Sequence, residues 1–206
     1  MHTHIYTIRH AKTSFGEEHR YAGTMDVPLS PRGLKEAKVS ARALRNMKFD
    51  VVLTSMKIRA IDTARILVGD TTPLVSCHLC DERNFGAMEG HTALEVKHFK
   101  PRILFIKVGN DTHSVNPLGG EPFEDVRERA KRLRRLVFRR YRGSSILIVS
   151  HGTFLQQFHG LLRGKSCIES LADWTSDLEM TSFTFSGNRL TEERTAKLAG
   201  ADRLDW

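Results

Sequence analysis

Arg9 and His10 stand directly after the apolar, β-branched run Ile5-Tyr6-Thr7-Ile8, and Ser150-His151-Gly152 follows Ile146-Leu147-Ile148-Val149 in the same relation. Both runs read as buried strands. Ligands in open α/β sheets sit beyond the carboxyl ends of the strands, so both histidines occupy positions where a ligand would bind. Two imidazoles that converge there can share nucleophilic and acid–base work. Taken alone, the pair could equally pack or cap, so the chemical reading depends on what joins them.

What joins them is a set of segments in a telling order. Ile8-Arg9-His10-Ala11-Lys12-Thr13 opens the series, and the loop and helix start Gly23-Thr24-Met25-Asp26-Val27-Pro28-Leu29-Ser30-Pro31-Arg32-Gly33 follows. Then come Ser55-Met56-Lys57-Ile58-Arg59-Ala60-Ile61-Asp62-Thr63-Ala64, Asp81-Glu82-Arg83-Asn84-Phe85-Gly86-Ala87-Met88-Glu89-Gly90, Pro117-Leu118-Gly119-Gly120-Glu121 and Val149-Ser150-His151-Gly152. Together they resemble the histidine phosphatase superfamily, the phosphoglycerate mutase-like proteins, over most of the chain. The resemblance implies a three-layer α/β/α sandwich with a mainly parallel mixed sheet, and a phosphatase that passes the phosphoryl group through His10.

In that reading His10, Glu82 and His151 are catalytic, while Arg9, Arg59 and Thr13 bind phosphate. Ala22, Gly23 and Arg83 are candidate substrate contacts. A phosphoryl group is negative in its ground and transition states, so its transfer depends on positioning and on fixed positive donors. The planar forks of Arg9 and Arg59 suit that task, with the Thr13 hydroxyl as a further donor. The same cations disfavour protonation of His10 and keep it able to attack phosphorus. His151 is expected to donate to the equatorial oxygens, and Glu82 to protonate the leaving alkoxide and then activate water. The scheme calls for no metal or other cofactor.

Departures from the family pattern bear on substrate more than on the central reaction. Ala11 replaces the usual glycine, Lys12 stands where acidic or neutral residues are frequent, and Gly16 falls near a position where mutase-type members carry asparagine. Pro122 stands where serine is common after the Gly-Glu pair. Glu89 is a rival acid, but its place beside Gly90 suggests a turn role. His19 is a candidate rim contact.

These residues need a scaffold. Val51-Val52-Leu53 reads as a third strand. Leu34, Ala37, Ala41 and Leu44 repeat at helical spacing after a Ser30 cap and Pro31, and further helices are expected from Ser55 to about Leu67 and from Gly152 to about Leu162. The alternation implies an α/β sandwich. Between Phe123 and Tyr141, Phe123, Val126, Ala130, Leu133, Val137 and Tyr141 mark one apolar helix face, which leaves the arginines from Arg127 to Arg142 to solvent. Residues 179–185 alternate in strand fashion before a turn at Gly187-Asn188 and Leu190-Thr191, which predicts a terminal hairpin. The stretch from His91 to Gly120 is broken by Pro101, Gly109, Pro117 and Gly119-Gly120, and reads as a substrate-covering insertion within a single domain spanning 1–206.

A chain of 206 residues can bury a large core without disulfides or metals to staple it. It has no run of residues apolar enough to span a bilayer, and no leader-like segment precedes the first strand, which favours the cytoplasm. Three cysteines argue against a disulfide-built secreted domain. Cys77-His78-Leu79-Cys80 has metal half-site spacing, yet no second pair exists, and on a strand Cys77 and Cys80 would face apart. The net charge of +8 favours anions without naming one. The expected partner is a phosphorylated small molecule, with no membrane and no nucleic acid, since aromatic residues are not interleaved on the basic helix face. Oligomeric state is not encoded legibly. A cofactor-dependent phosphoglycerate mutase and a silent phosphate- or nucleic-acid-binding module are the rival readings. A pure binding module has no need of both a nucleophile and an acid.

Overall fold

Strand β1 (His2–Arg9) sends successive side chains to opposite cores, as its period of two requires. Ile5 packs on one side of the sheet and Ile8 on the other. Strand β6 (Ser145–Ser150) does the same, with Ile146 and Ile148 opposite Leu147 and Val149. Both strands are thus apolar on two faces, the condition for helices to cover both. In the computed structural model, which describes residues 1–70 and 72–198, they do.

The remaining elements are, in chain order, α1 (Ser14–Glu17), α2 (Pro31–Leu44), β2 (Val51–Thr54), α3 (Ile58–Val68), β3 (Leu74–Ser76) and α4 (Ala93–Val96), then a hairpin of β4 (Phe105–Val108) and β5 (Asp111–Ser114). After β5 come α5 (Phe123–Arg140), then β6, α6 (Gly152–Leu162), β7 (Glu179–Ser186) and β8 (Arg189–Lys197). The main sheet has the order β3-β2-β6-β1-β7-β8. Its first four strands are parallel, and β7 and β8 are antiparallel additions. Helices α2 and α3 bury Ala37, Leu44, Ala60, Ala64 and Leu67 against one face. Helices α5 and α6 bury Val126, Leu133, Val137, Phe154 and Phe158 against the other. The protein is therefore a three-layer α/β/α sandwich with a mainly parallel mixed sheet.

Local chemistry accounts for the element ends. Ser30 caps α2, its Oγ accepting from Gly33 N at 3.0 Å, and Pro31 takes the first turn. Leu34 is exposed, so the buried stripe of α2 runs through Gly33, Ala37, Ser40, Ala43 and Leu44 instead of the expected set. Helix α3 begins at Ile58, three residues later than expected. The amides of Met56 and Ile58 are taken by the distant carboxylates of Asp81 and Asp26, each at 2.8 Å.

Three other expectations change. Strand β3 stops at Ser76, and Cys77 to Cys80 form a tight turn with Cys80 N bonded to Cys77 O at 3.0 Å, so both cysteines enter the same core instead of facing apart. On α5 not every arginine is solvated. Arg127 is buried, donating to the carbonyls of Gln157 and Lys165, and Arg129 reaches back to the carbonyls of Leu79 and Asp81. The segment from His91 to Gly120 contains α4 and the β4–β5 hairpin, packed on its own small cluster of Met88, Val96 and Ile103. The expected single domain ran to residue 206; residues 71 and 199–206 lie outside those described.

Candidate active site

Parallel pairing of β1 with β6 sets Arg9 beside Ser150, so the next residue of each strand emerges at the same sheet edge. His10 and His151 consequently meet, ring centroids 5.0 Å apart and planes inclined by 62°. His10 N extends the ladder by donating to Ser150 O at 2.9 Å, and His151 caps the start of α6.

The tautomer of His10 follows from its partner. Its Nδ1 lies 2.7 Å from the carbonyl of Ala11, which can only accept, so Nδ1 carries the proton and Nε2 keeps a lone pair. Burial holds the imidazole well below its ordinary value of 6.5, with Arg59 and then Arg9 adding to the effect. The cations invoked from sequence therefore act, but desolvation ranks above them. His151 is depressed in the same sense, again chiefly by burial, then by Arg59, His10, Arg9 and Lys57.

Arg59 is 99% buried, and three of its five N–H groups are committed. Nε donates to His151 Nδ1 at 3.2 Å, Nη1 to Met25 O and Nη2 to Gly23 O, both at 2.8 Å. Two N–H groups remain for an anion. Gly23 has φ +50°, and a Cβ there would stand 2.0 Å from Glu89 Oε1, so the loop closes on Arg59 only with glycine at that point. Arg9 Nη1 donates to Thr175 O at 2.8 Å, while its Nε faces Asp177 Oδ1 at 3.0 Å. Thr13 Oγ1 accepts from Gly16 N at 3.0 Å, which leaves its O–H free to donate.

Across from the histidines, Glu82 Oε1 accepts from Arg83 N at 2.8 Å and Phe154 N at 3.1 Å, and Oε2 from Thr153 N at 3.3 Å. The first turn of α6 thus holds the carboxylate, as a helix N-terminus does for an anion. Glu89 is occupied elsewhere, accepting from Thr24 N, Thr24 Oγ1 and Phe85 N, which is the turn role expected of it. Arg83, the third candidate substrate contact, is largely committed to the protein. It lies in the wall with Nε on Glu121 O at 2.7 Å, Nη1 on Ser114 O at 2.8 Å and its plane over Phe123; only Nη2 has no partner among the described residues.

These groups line one cavity of about 680 Å³, to which His10, Arg9, Thr13, Ala22, Gly23, Arg59, Glu82 and Arg83 all contribute, with His19 at the mouth. The β4–β5 hairpin supplies Asp111 to Ser114 to its wall. Sequence reasoning missed Asp177, Trp174, Gln156 and His113, none of which sits in a recognisable pattern. It also passed over Ser55, whose hydroxyl lies 2.6 Å from His151 Nε2 and whose first position in the segment carrying Arg59 was the available signal. Among the described residues no cluster of three or more His, Cys, Asp or Glu side chains is placed to hold a metal, and no helix is long and apolar enough to cross a membrane.

Two histidines and Arg9 at the sheet edge, Arg59 from α3 and a helix-anchored glutamate are thus brought together. A sequence model of the histidine phosphatase superfamily (branch 1) matches residues 5–195, and the chain belongs to that family. A 2,3-bisphosphoglycerate-dependent phosphoglycerate mutase from Gloeobacter violaceus is 28% identical over 190 residues, covering 74% of this chain and 81% of that protein. Among solved structures, the alpha-ribazole phosphatase of Shigella flexneri superposes with a TM-score of 0.84 at 22% identity, over 98% of both chains. A phosphoserine phosphatase from Entamoeba histolytica gives 0.78 at 20% identity, over 96% of this chain and 99% of that one. At these identities the two structures establish the fold alone.

Proposed function

We propose that the protein hydrolyses phosphomonoesters of small metabolites, without a metal, through a phosphohistidine on Nε2 of His10. The observation that carries this reading is the bond from His10 Nδ1 to the Ala11 carbonyl, which leaves Nε2 its lone pair on an imidazole that burial, Arg59 and Arg9 keep neutral. The phosphoryl oxygens bind the remaining N–H groups of Arg59, those of Arg9 and the Thr13 hydroxyl. Nε2 attacks phosphorus, the bond to the leaving oxygen breaks, and Glu82, which enters this step protonated on Oε2, gives its proton to that oxygen. Water then attacks phosphorus and passes a proton to Glu82, the bond from phosphorus to His10 Nε2 breaks, and inorganic phosphate leaves, which restores the starting state. For His151 to donate to a phosphoryl oxygen, its Nδ1 gives up the hydrogen bond from Arg59 Nε and takes a proton once the anion's charge offsets the surrounding cations.

The proteins it resembles include both a phosphoglycerate mutase and phosphatases, so the cavity supplies the argument between the two activities. A mutase must keep water from the phosphohistidine until the group is returned, whereas about 680 Å³ beside His10 leaves room for water to attack. Phosphate release from a panel of phosphomonoesters, with and without chelator, tests the reading against His10→Ala as blank. Rapid denaturation during turnover should trap an acid-labile, base-stable phosphoryl group on the wild type. An acid-stable phosphoester, or isomerised substrate with no free phosphate, would refute it. We place the protein in the cytoplasm, with a phosphorylated small molecule as its partner.

A further inference from the structure

Trp174 stands at the mouth of the cavity, 52% exposed, with the guanidinium of Arg9 4.6 Å from its ring centroid. A tryptophan is rarely left so open, and this one is not on a slack loop. Arg9 Nη1 grips the next residue through Thr175 O at 2.8 Å, Asp177 faces Arg9 Nε at 3.0 Å, and the preceding Asp173 is held by Arg163 at 2.6 Å and Lys165 at 2.8 Å. The arginine expected to clamp the phosphoryl group therefore also sets the position of the ring, with one indole face on the cation.

The rest of the cavity has matching character. Tyr21 and Phe85, their rings 5.1 Å apart, line it as a second aromatic surface. Gln156 Oε1 and His113 Nε2 belong to residues of the same wall and have no hydrogen-bond partner among the described residues. A volume of about 680 Å³ falls in the range of sites that enclose drug-sized ligands, well beyond a phosphoryl group with a three-carbon acid. Resting on the phosphatase reading above, we propose that the leaving-group side of this cavity receives a flat aromatic or heteroaromatic group of nucleoside size, with Trp174 as its stacking platform. Stacking on an aromatic side chain contributes affinity for a base, and the ring's fixed distance from Arg9 converts that affinity into alignment of the phosphorus.

The test compares adenosine 5′-monophosphate with glycerol 3-phosphate. The ratio of their kcat/KM values should favour the nucleotide in the wild type, fall about ten-fold in Trp174→Ala and return to within about three-fold in Trp174→Phe. A ratio that Trp174→Ala leaves unchanged would overturn the proposal, because equal losses mean that Trp174 only positions Arg9. So would a wild type that prefers glycerol 3-phosphate to the nucleotide, and in that case the phosphatase reading survives. A binding readout needs no turnover. In His10→Ala carrying Trp206→Phe, Trp174 is the sole tryptophan, and adenosine 5′-monophosphate should quench its fluorescence where glycerol 3-phosphate does not. Absence of quenching by the nucleotide counts against the subsite, whereas absence of any phosphohistidine in the wild type counts against the function itself.

Discussion

Arg59 Nε donates to Nδ1 of His151 at 3.2 Å, which places the imidazole proton on Nε2, where Ser55 Oγ accepts it at 2.6 Å. The guanidinium that would grip the phosphoryl group thereby also sets the tautomer of the second histidine. It stands second only to burial among the causes that hold His10 and His151 well below 6.5. Removing its charge makes protonation of both rings easier, so Arg59→Gln should raise the pH at which each titrates. Ring resonances followed by NMR should show both histidines neutral at pH 6 in the wild type and titrating at higher pH in the variant. Unshifted midpoints would remove Arg59 from the causes and leave burial and the remaining cations.

Glu82 can be tested by how badly a leaving group needs a proton. Glu82→Gln should slow hydrolysis of an alkyl phosphate by roughly a hundred-fold or more, the scale of acid–base assistance. An aryl phosphate with an acidic phenol should lose far less in its first step. Since the same carboxylate should activate water later, the variant should release a burst of phenol before slow turnover. Equal losses in the alkyl rate and the aryl burst would remove Glu82 as the acid.

The arginines of α5 divide into two sets with opposite expected behaviour. Arg129 pairs with Glu121 at 2.8 Å and donates to the carbonyls of Leu79 and Asp81, the segment that leads to Glu82. Arg129→Gln should lower urea-unfolding stability by about 2 kcal/mol, the scale for hydrogen bonds to a charged group, and lower kcat as the Glu82 segment loosens. Replacing Arg134, Arg135, Arg139 and Arg140 with glutamine should leave turnover of small substrates nearly unchanged. Those side chains do not line the cavity, and charges farther than about 8 Å are screened at physiological salt.

Acid should weaken the fold through its buried histidines. His10, His151 and His159 are all depressed, His159 to about 3 by burial, with its Nε2 2.7 Å from Thr7 Oγ1. Below about 6.5 the unfolded chain takes up protons that the folded chain refuses, so stability is lost as pH falls through that window. Each such histidine contributes about 1.4 kcal/mol per pH unit. His159→Gln should make the fall in unfolding free energy between pH 5.5 and 4 shallower by about that amount. An unchanged slope would mean that His159 is protonated in the folded state.

Much of the scaffold was legible because period and position are written locally. The doubly apolar strands, the Ser30-Pro31 start and the basic amphipathic helix each follow from residues within one turn or one pleat. The convergence of His10 with His151 was legible for the same reason, since both end a buried strand. What escaped depends on contacts between distant segments. Nothing near Arg129 reveals that it turns inward to the carbonyls of Leu79 and Asp81, and nothing around Trp174 or Asp177 marks them as neighbours of Arg9. The late start of α3 was hidden too, because its capping carboxylates, Asp26 and Asp81, come from elsewhere in the chain. The hairpin from Phe105 to Ser114 sits among prolines and glycines that read as interruption, although its strands pair in full register.

That hairpin rests on its own apolar cluster and is moored to the rest of the site where Arg83 donates to the carbonyl of Ser114. The protein is in this respect modular, its reactive floor and its receiving wall resting on separate foundations. A lineage can rewrite residues 105–113 and change what enters, while the two histidines and their arginines are inherited intact. The bond from Arg83 keeps such revisions in register with its neighbour Glu82. Diversity of diet on an unchanging chemistry is what this architecture makes easy, and exchanging hairpins between relatives is the route by which it can be redirected.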